Sequence, residues 1–268
     1  MEYYSVFEGF TPPLKDVNLP ILEAIKRFIL SNKDELKEEI EKDLSSEAIS
    51  MLHRLAIGDR RIYSALKNEQ LSQTEGREVY KELFDKKLII LEESREVLPP
   101  KNPRFKQKKH LRRYQVQDKL HFSNQFHRFW FAFFSSNLDS SLAMQRVEKY
   151  LETHVSLAYE QLSLEFLALH LNEPDVALQG SYWDRKHEID ILVTLKDGRV
   201  IAGECKWKSR RVCKNVLTIL QNKAQYAGLK VDCFVLFSKN GFSKELLRLT
   251  SDSVWLFDIT YFERFLYD

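Results

Sequence analysis

The stretch Glu188-Ile189-Asp190-Ile191-Leu192-Val193, a short turn, and Val200-Ile201-Ala202-Gly203-Glu204-Cys205-Lys206-Trp207 reads as two apolar strands with charge placed where charge is expensive. A carboxylate beside β-branched, core-like sequence costs free energy unless it meets a cation or a hydrogen-bond donor. Side chains two apart on a strand share a face, so Glu204 and Lys206 project together while Cys205 points away into the core. Two carboxylates and an ammonium on one sheet edge are the groups that hold Mg²⁺ and activate a water against a phosphodiester. The bland alternative is a solvated strand end carrying a Glu–Lys pair of little energetic value.

The loop between the strands decides whether the charges meet. With Asp197-Gly198 as a two-residue turn, Asp190 falls opposite Cys205, on the face away from Glu204. With Lys196-Asp197-Gly198 as a three-residue loop and Gly198 at positive φ, Asp190 falls opposite Glu204. Both loops are common in hairpins, and the sequence leaves the choice open.

Upstream, residues 139–171 read as one long helix capped by Ser140 or Ser141, with apolar positions from Leu142 to Leu169 at helical spacing. Glu160 and Glu165 lie on it before the chain turns at Asn172-Glu173-Pro174. Downstream come a helix from Val212 to Gly228, a buried strand Val231–Phe237, a short helix 243–250 and a last strand Val254–Asp258. The order α-β-β-β-α-β and the Asp190…Glu204-Cys205-Lys206 pattern together resemble the PD-(D/E)xK nuclease superfamily, with Ile189 in place of the proline. The resemblance implies a Mg²⁺- or Mn²⁺-dependent nuclease in which Asp190 and Glu204 ligate the metal. Glu160 would assist through water, Glu165 being the fallback, and the Cys205 carbonyl would complete the set. Lys206 would orient the attacking water or stabilise charge on phosphate. Gln221 and Tyr226 lie where some members carry substrate-positioning residues, at irregular spacing here.

At 268 residues, 44% apolar and 30% charged, the chain has ordinary soluble composition and length for two domains. No apolar run approaches a membrane span, and no signal peptide is expected ahead of the acidic, Tyr-rich start, so a membrane-free cytoplasmic protein is expected. Cys205, Cys213 and Cys233 lack metal-ligand spacing and read as thiols in a reducing compartment. His110, His121, His127 and His187 form no ligand cluster by spacing; His187 is near enough to Asp190 to touch a substrate.

The net charge of +2 hides an uneven distribution. Asp34 to Glu47 is acidic. Between Lys101 and Arg113, seven of thirteen residues are basic, Lys108 and Lys109 among them, either as a phosphate-contacting segment or as a solvated linker. A second cluster, Lys208, Arg210, Arg211 and Lys214, follows the Glu-x-Lys motif and suits sequence-independent contact with a DNA backbone.

The first half begins with an arm, Met1 to Lys15, and a helical run from Pro20. Helices follow over about 45–57, 60–67 and 72–86, the last opened by the capping box Ser72-x-x-Glu75. Leu88–Glu92 and Arg95–Leu98 then alternate like a small hairpin about Glu93-Ser94, and the set suggests a winged helix. Helix 72–86 balances Arg77, Lys81 and Lys86 against Glu75, Glu78, Glu82 and Asp85, a poor phosphate partner, so protein contacts are the other role for this module. Next, Leu111–Asp118 reads as a strand and Gln125–Phe134 as a helix with an anchoring stripe of Phe126, Phe129, Trp130 and Phe133.

Tyr114-x-Val116-x-Asp118 with Arg128-Phe129-Trp130-Phe131-x-Phe133 resembles a signature in the C-terminal part of archaeal-type AAA ATPases, where a winged helix and a nuclease-like domain follow the ATPase. No Gly-x₄-Gly-Lys-(Ser/Thr) loop occurs, so the ATPase module is not expected here; a partner ATPase is. The expected organisation is an arm and helix over 1–44, a winged-helix-like domain over 45–100, a basic linker and aromatic helix over 101–138, and a nuclease-like domain over 139–268. The expected class is α/β: a helical winged-helix module, then a restriction-endonuclease-like domain with a mixed central sheet. The functional alternatives are a metal-dependent deoxyribonuclease or an inactive nuclease-fold module that binds DNA or a partner ATPase.

Overall fold

Two helices of the first half open at a capping serine. In the computed structural model, which describes residues 1–14, 18–96, 117–135 and 139–264, Ser45 Oγ accepts from the Ala48 N–H at 3.1 Å and opens α4 (Ser46–Ile57). The Ser72–Glu75 capping box opens α6 (Gln73–Asp85). Before α4 come α1 (Glu2–Phe7), α2 (Ile21–Ala24) and α3 (Lys33–Glu41), with one π-helical and one tight turn between the last two. Between α4 and α6 lies α5 (Ile62–Asn68). Strands β1 (Ile89–Glu92) and β2 (Lys119–Phe122) follow, then α7 (Gln125–Phe133) and the long α8 (Ser140–His170).

The described chain divides into two compact units, Met1–Glu93 with Gln117–Ala158, and Ser94–Val116 with Tyr159–Asp268. The division falls inside α8, between Ala158 and Tyr159, whereas the sequence suggests a boundary near 139.

In the first unit, α4 buries Ala48, Met51, Leu52 and Leu55, the i, i+3, i+4, i+7 face of an amphipathic helix. The aromatic stripe of α7 is wholly interior, with Phe129 and Trp130 at 0% exposure. The buried Glu41 carboxylate accepts from Trp130 Nε1 at 2.8 Å; burial raises its pKa, and that bond works in the opposite direction. Within the N-terminal arm, α1 is helical because Val6 and Phe7 become buried there, and tertiary burial outweighs the weak propensity of a six-residue helix. One expectation is corrected. Strand β1 does not fold back on Arg95 and Glu96. It pairs antiparallel with β2, Ile89 opposite Phe122 and Leu91 opposite Leu120, so its apolar side chains meet apolar cross-strand partners. Val97–Leu98 and Leu111–Val116 lie outside the described residues.

The second unit is built on a mixed sheet in the order β3-β4-β5-β6-β7: β3 (Val176–Trp183), β4 (Glu188–Leu195), β5 (Val200–Lys206), β6 (Cys233–Ser238) and β7 (Val254–Asp258). The first three strands run antiparallel, and β5, β6 and β7 run parallel. The α-β-β-β-α-β order expected from sequence is therefore present, with a helical first half ahead of a mixed five-stranded sheet. Helix α9 (Lys214–Tyr226) links β5 to β6, and α10 (Lys244–Leu247) and α11 (Thr260–Arg264) flank β7. Leu192, Ala202 and Leu236 face Leu217, Leu220 and Ala224 of α9. Their strand neighbour Phe237 points the other way, where Phe166 of α8 meets it, Phe257 and Phe262 at ring separations of 5.0–6.0 Å.

Gly203 is required by the close approach of three strands. A Cβ there would lie 2.7 Å from Val235 Cγ1 and 3.0 Å from Ile191 Cβ, both on neighbouring strands. Gly203→Ala is expected to destabilise by about 1–3 kcal/mol through overpacking. Urea unfolding checks this as a lower midpoint at unchanged slope; a wild-type midpoint would show that the sheet yields freely.

Candidate active site

The β4–β5 loop takes the three-residue form. The Leu195 N–H donates to Arg199 O at 2.9 Å, the Gly198 N–H donates to Leu195 O at 3.0 Å, and Gly198 has φ +90°. Asp197 stabilises the loop by accepting from the Arg199 N–H at 3.0 Å and Arg199 Nε at 2.8 Å. The register follows: Thr194 is opposite Val200 and Ile191 opposite Gly203, so the next step places Asp190 opposite Glu204.

Asp190 Oδ2 accepts the Cys205 N–H at 2.8 Å. Burial first, and then the charges of Glu160 and Glu204, push its pKa up to about 8; Lys206 and the Cys205 N–H act in the opposite direction. Glu160, on the face-covering part of α8, is thus the helix carboxylate that acts on Asp190, while Glu165 is exposed. Glu204 is 6% exposed, and each of its oxygens meets an ammonium: Oε1 accepts from Lys206 Nζ at 2.6 Å and Oε2 from Lys223 Nζ at 2.8 Å. Burial opposes the Lys206 charge, but Glu204 and Asp190 more than offset it and hold the pKa above the ordinary lysine value. The buried Cys205 thiol is held well above its usual pKa by burial and by Asp190 and Glu160, so it is an inert core thiol.

Lys223 is the residue that sequence reading missed. It sits on α9 one turn beyond buried Leu220 and beside buried Ala224, on the margin of the helix's packed face. That flank position is the only sequence signal it carries, because its partner Glu204 is nineteen residues away.

Among the basic candidates, Lys208, Arg210 and Arg211 are exposed in the loop after β5, and Lys214 is exposed and 3.4 Å from Glu245. Lys108 and Lys109 lie outside the described residues. Tyr226, 76% exposed, stacks on His187 with ring centroids 5.4 Å apart, and His187 Nδ1 is 3.2 Å from Asp184 Oδ2. Gln221 is exposed. Among the described residues, no group of three or more His, Cys, Asp or Glu side chains is arranged to hold a metal ion, and no helix is long and apolar enough to cross a membrane.

The donor chemistry at Asp190 and Glu204 still fits a hard divalent cation. These are oxygen ligands on a desolvated edge where like charge is in excess around Asp190, although Glu204 would have to give up one ammonium contact to join it.

No curated protein matches this chain. Among solved structures, a repair endonuclease from Pyrococcus abyssi matches at 15% identity and TM-score 0.28, over 37% of this chain and 45% of that one. A Vibrio cholerae protein of known structure matches at 16% identity and TM-score 0.27, over 85% of this chain and 49% of that one. The chain thus spans less than half the length of either. Residues 130–218, from the aromatic helix through the Asp190–Glu204–Lys206 cluster into α9, are similar to the family model DUF234, described as archaea bacterial proteins of unknown function.

Proposed function

We propose that the second unit hydrolyses DNA phosphodiesters with Mg²⁺ or Mn²⁺, using Asp190, Glu204, Lys206 and Glu160. What supports this is the register of β4 and β5, which pairs Ile191 with Gly203 and so runs on toward Asp190 opposite the buried Glu204. The ionised form of Asp190 is disfavoured by Glu160 and Glu204, and Lys206 lies on the same face as Glu204. Such a cluster is costly for folding alone, and strongly perturbed carboxylates gather where chemistry is done.

Asp190 and Glu204 would hold the cation, with Glu160 beside them. When bound, a divalent cation lowers the pKa of water and neutralises charge on the phosphoryl oxygens. Lys206, whose pKa the neighbouring Glu204 and Asp190 hold above the ordinary lysine value, suits a donor rather than a base. Its role is to donate to a phosphate oxygen or to the attacking water and to stabilise negative charge as it develops. Lys223 would keep Glu204 oriented as Lys206 turns toward substrate. The exposed Lys208, Arg210 and Arg211 would contact the DNA backbone, and the reduced cysteines suit the cytoplasm.

A plasmid-nicking assay tests this. Wild type should cleave with Mn²⁺ or Mg²⁺ and not with EDTA, and Lys206→Ala should lose at least about a hundredfold in rate, the scale of one electrostatic contact to the transition state. A wild type that is inert with either ion overturns the enzyme reading.

One observation favours a second reading, a nuclease-fold module that binds DNA or a partner ATPase without cleaving. Both Glu204 oxygens are already satisfied by ammonium groups, as in a structural ion-pair network.

A further inference from the structure

Glu204 stands between two ammonium groups that reach it from different elements. Lys206 is two residues along β5 on the same face, and its Nζ lies 2.6 Å from Glu204 Oε1. Lys223 comes from α9, and its Nζ lies 2.8 Å from Glu204 Oε2. The two pairs differ in place. Asp190 Oδ2 accepts, at 2.8 Å, the N–H of Cys205, the residue that separates Glu204 from Lys206. Lys206 is close enough to Asp190 to act on its charge as well as on that of Glu204. The ammonium on Oε1 is thus the one shared between the two carboxylates.

The two lysines also differ in freedom. Lys206 is the last residue of β5, and its backbone is fixed, its carbonyl accepting the Lys239 N–H at 3.1 Å. Its side chain is the more exposed of the two, so its four-carbon stem can swing outward without disturbing the sheet. Lys223 lies beside buried Ala224 on a docked helix. A hard divalent cation seeks carboxylate oxygen as an ammonium does, and the two repel each other strongly when they meet at one oxygen.

We propose that Lys206 and a divalent cation exchange at Glu204. In the metal-free protein the Lys206 ammonium occupies the carboxylate oxygen on the Asp190 side, and the cation displaces it toward the phosphate while Lys223 keeps the other oxygen. This rests on the metal-dependent reading of the site and adds its regulation. The site is closed by its own lysine until metal arrives, and loading the metal frees the ammonium that the transition state uses. An occupant present in most molecules lowers the apparent affinity for its competitor in proportion to the fraction left open. Metal affinity in the absence of DNA is therefore held down by a catalytic residue.

The test counts bound Mn²⁺ by loss of the free-ion EPR signal, without DNA, in wild type, Lys206→Met and Lys223→Met. Each variant removes one positive charge beside Glu204, so a purely Coulombic effect on metal binding would be alike in both. Lys206→Met should bind Mn²⁺ at least about tenfold more tightly than wild type, the effect of removing an occupant from about nine sites in ten. Lys223→Met should change the affinity by about threefold or less, the scale of a screened charge. A cooperative melt verifies the fold of each variant. Lys206→Gln, neutral yet able to donate, takes the place of Lys206→Met if methionine is not tolerated, and it should shift affinity in the same direction. Equal affinities in wild type and the Lys206 variant overturn the exchange, as does equal tightening by the Lys206 and Lys223 variants; both leave the metal-dependent reading standing. Mn²⁺ binding by neither wild type nor any variant removes that reading and the exchange with it.

Discussion

Asp190→Asn raises the stability of the metal-free protein by about 2–5 kcal/mol at pH 8, leaves it nearly unchanged at pH 4, and removes cleavage. The sign follows from linkage. The folded-state pKa of about 8 lies above the value near 3.9 for an unfolded aspartate, so the folded state holds the proton more tightly. The stability this confers is complete below about pH 4 and is lost as pH rises through 8, at most about 1.4 kcal/mol per pH unit. Asparagine is neutral throughout and can still accept the Cys205 N–H, so it escapes that loss. Thermal melts of both proteins across pH 4–9 in EDTA measure the effect. Mn²⁺ should then stabilise wild type and not the variant, by mass action on a site only wild type can form. Parallel pH curves would mean that Asp190 ionises normally, and the strained carboxylate would have to be abandoned.

Glu204→Gln has the opposite effect on stability and the same effect on cleavage. From sequence alone, taking one charge out of a carboxylate cluster is expected to relieve repulsion and leave stability unchanged or higher. Lys206 at 2.6 Å and Lys223 at 2.8 Å reverse that expectation. Both side chains are mostly buried, and removing their shared partner leaves two ammonium groups poorly compensated. A loss of about 2–4 kcal/mol is expected, the scale for breaking a buried pair from one side. Adding Lys223→Met should recover part of it, while nicking activity stays absent in both. Stability and activity are separated by running denaturant melts and the plasmid assay on the single and double variants. Cleavage at the wild-type rate in Glu204→Gln would eliminate Glu204 from the chemistry whatever its stability.

The strands and helices of the second unit were legible because period-2 runs such as Glu188–Val193 and the apolar face of α9 carry their own signal. The same-face relation of Glu204 and Lys206 was equally local. The position of Asp190 relative to them was not, because two- and three-residue loops differ by one residue of register and both suit Asp-Gly. Lys223 was hidden for another reason: an ion pair across nineteen residues exists only once α9 has docked on β5. In the first unit, the capping box Ser72-x-x-Glu75 announced α6, whereas β1 had two possible partners. The strand pairs not with the local one, Arg95–Leu98, but with a distant one that sets Leu120 and Phe122 across from Leu91 and Ile89. The helical turn at Glu2–Phe7 escaped because its stability comes from burying Val6 and Phe7 rather than from its own composition.

The loop Lys196-Asp197-Gly198 is open on its outer side, with nothing within 4 Å of where a Gly198 Cβ would stand. Ordinary surface turns of this kind drift freely in length among related chains, because one residue more or less costs little loop entropy. Here the turn that closes the hairpin decides which side chains meet. The same residues closed instead by a two-residue Asp197-Gly198 turn would pair Lys196 with Arg199, bring Asp190 opposite Cys205 and turn its carboxylate to the other side of the sheet. The form of one exposed turn therefore decides whether the two carboxylates share a face, without altering any residue of the cluster itself.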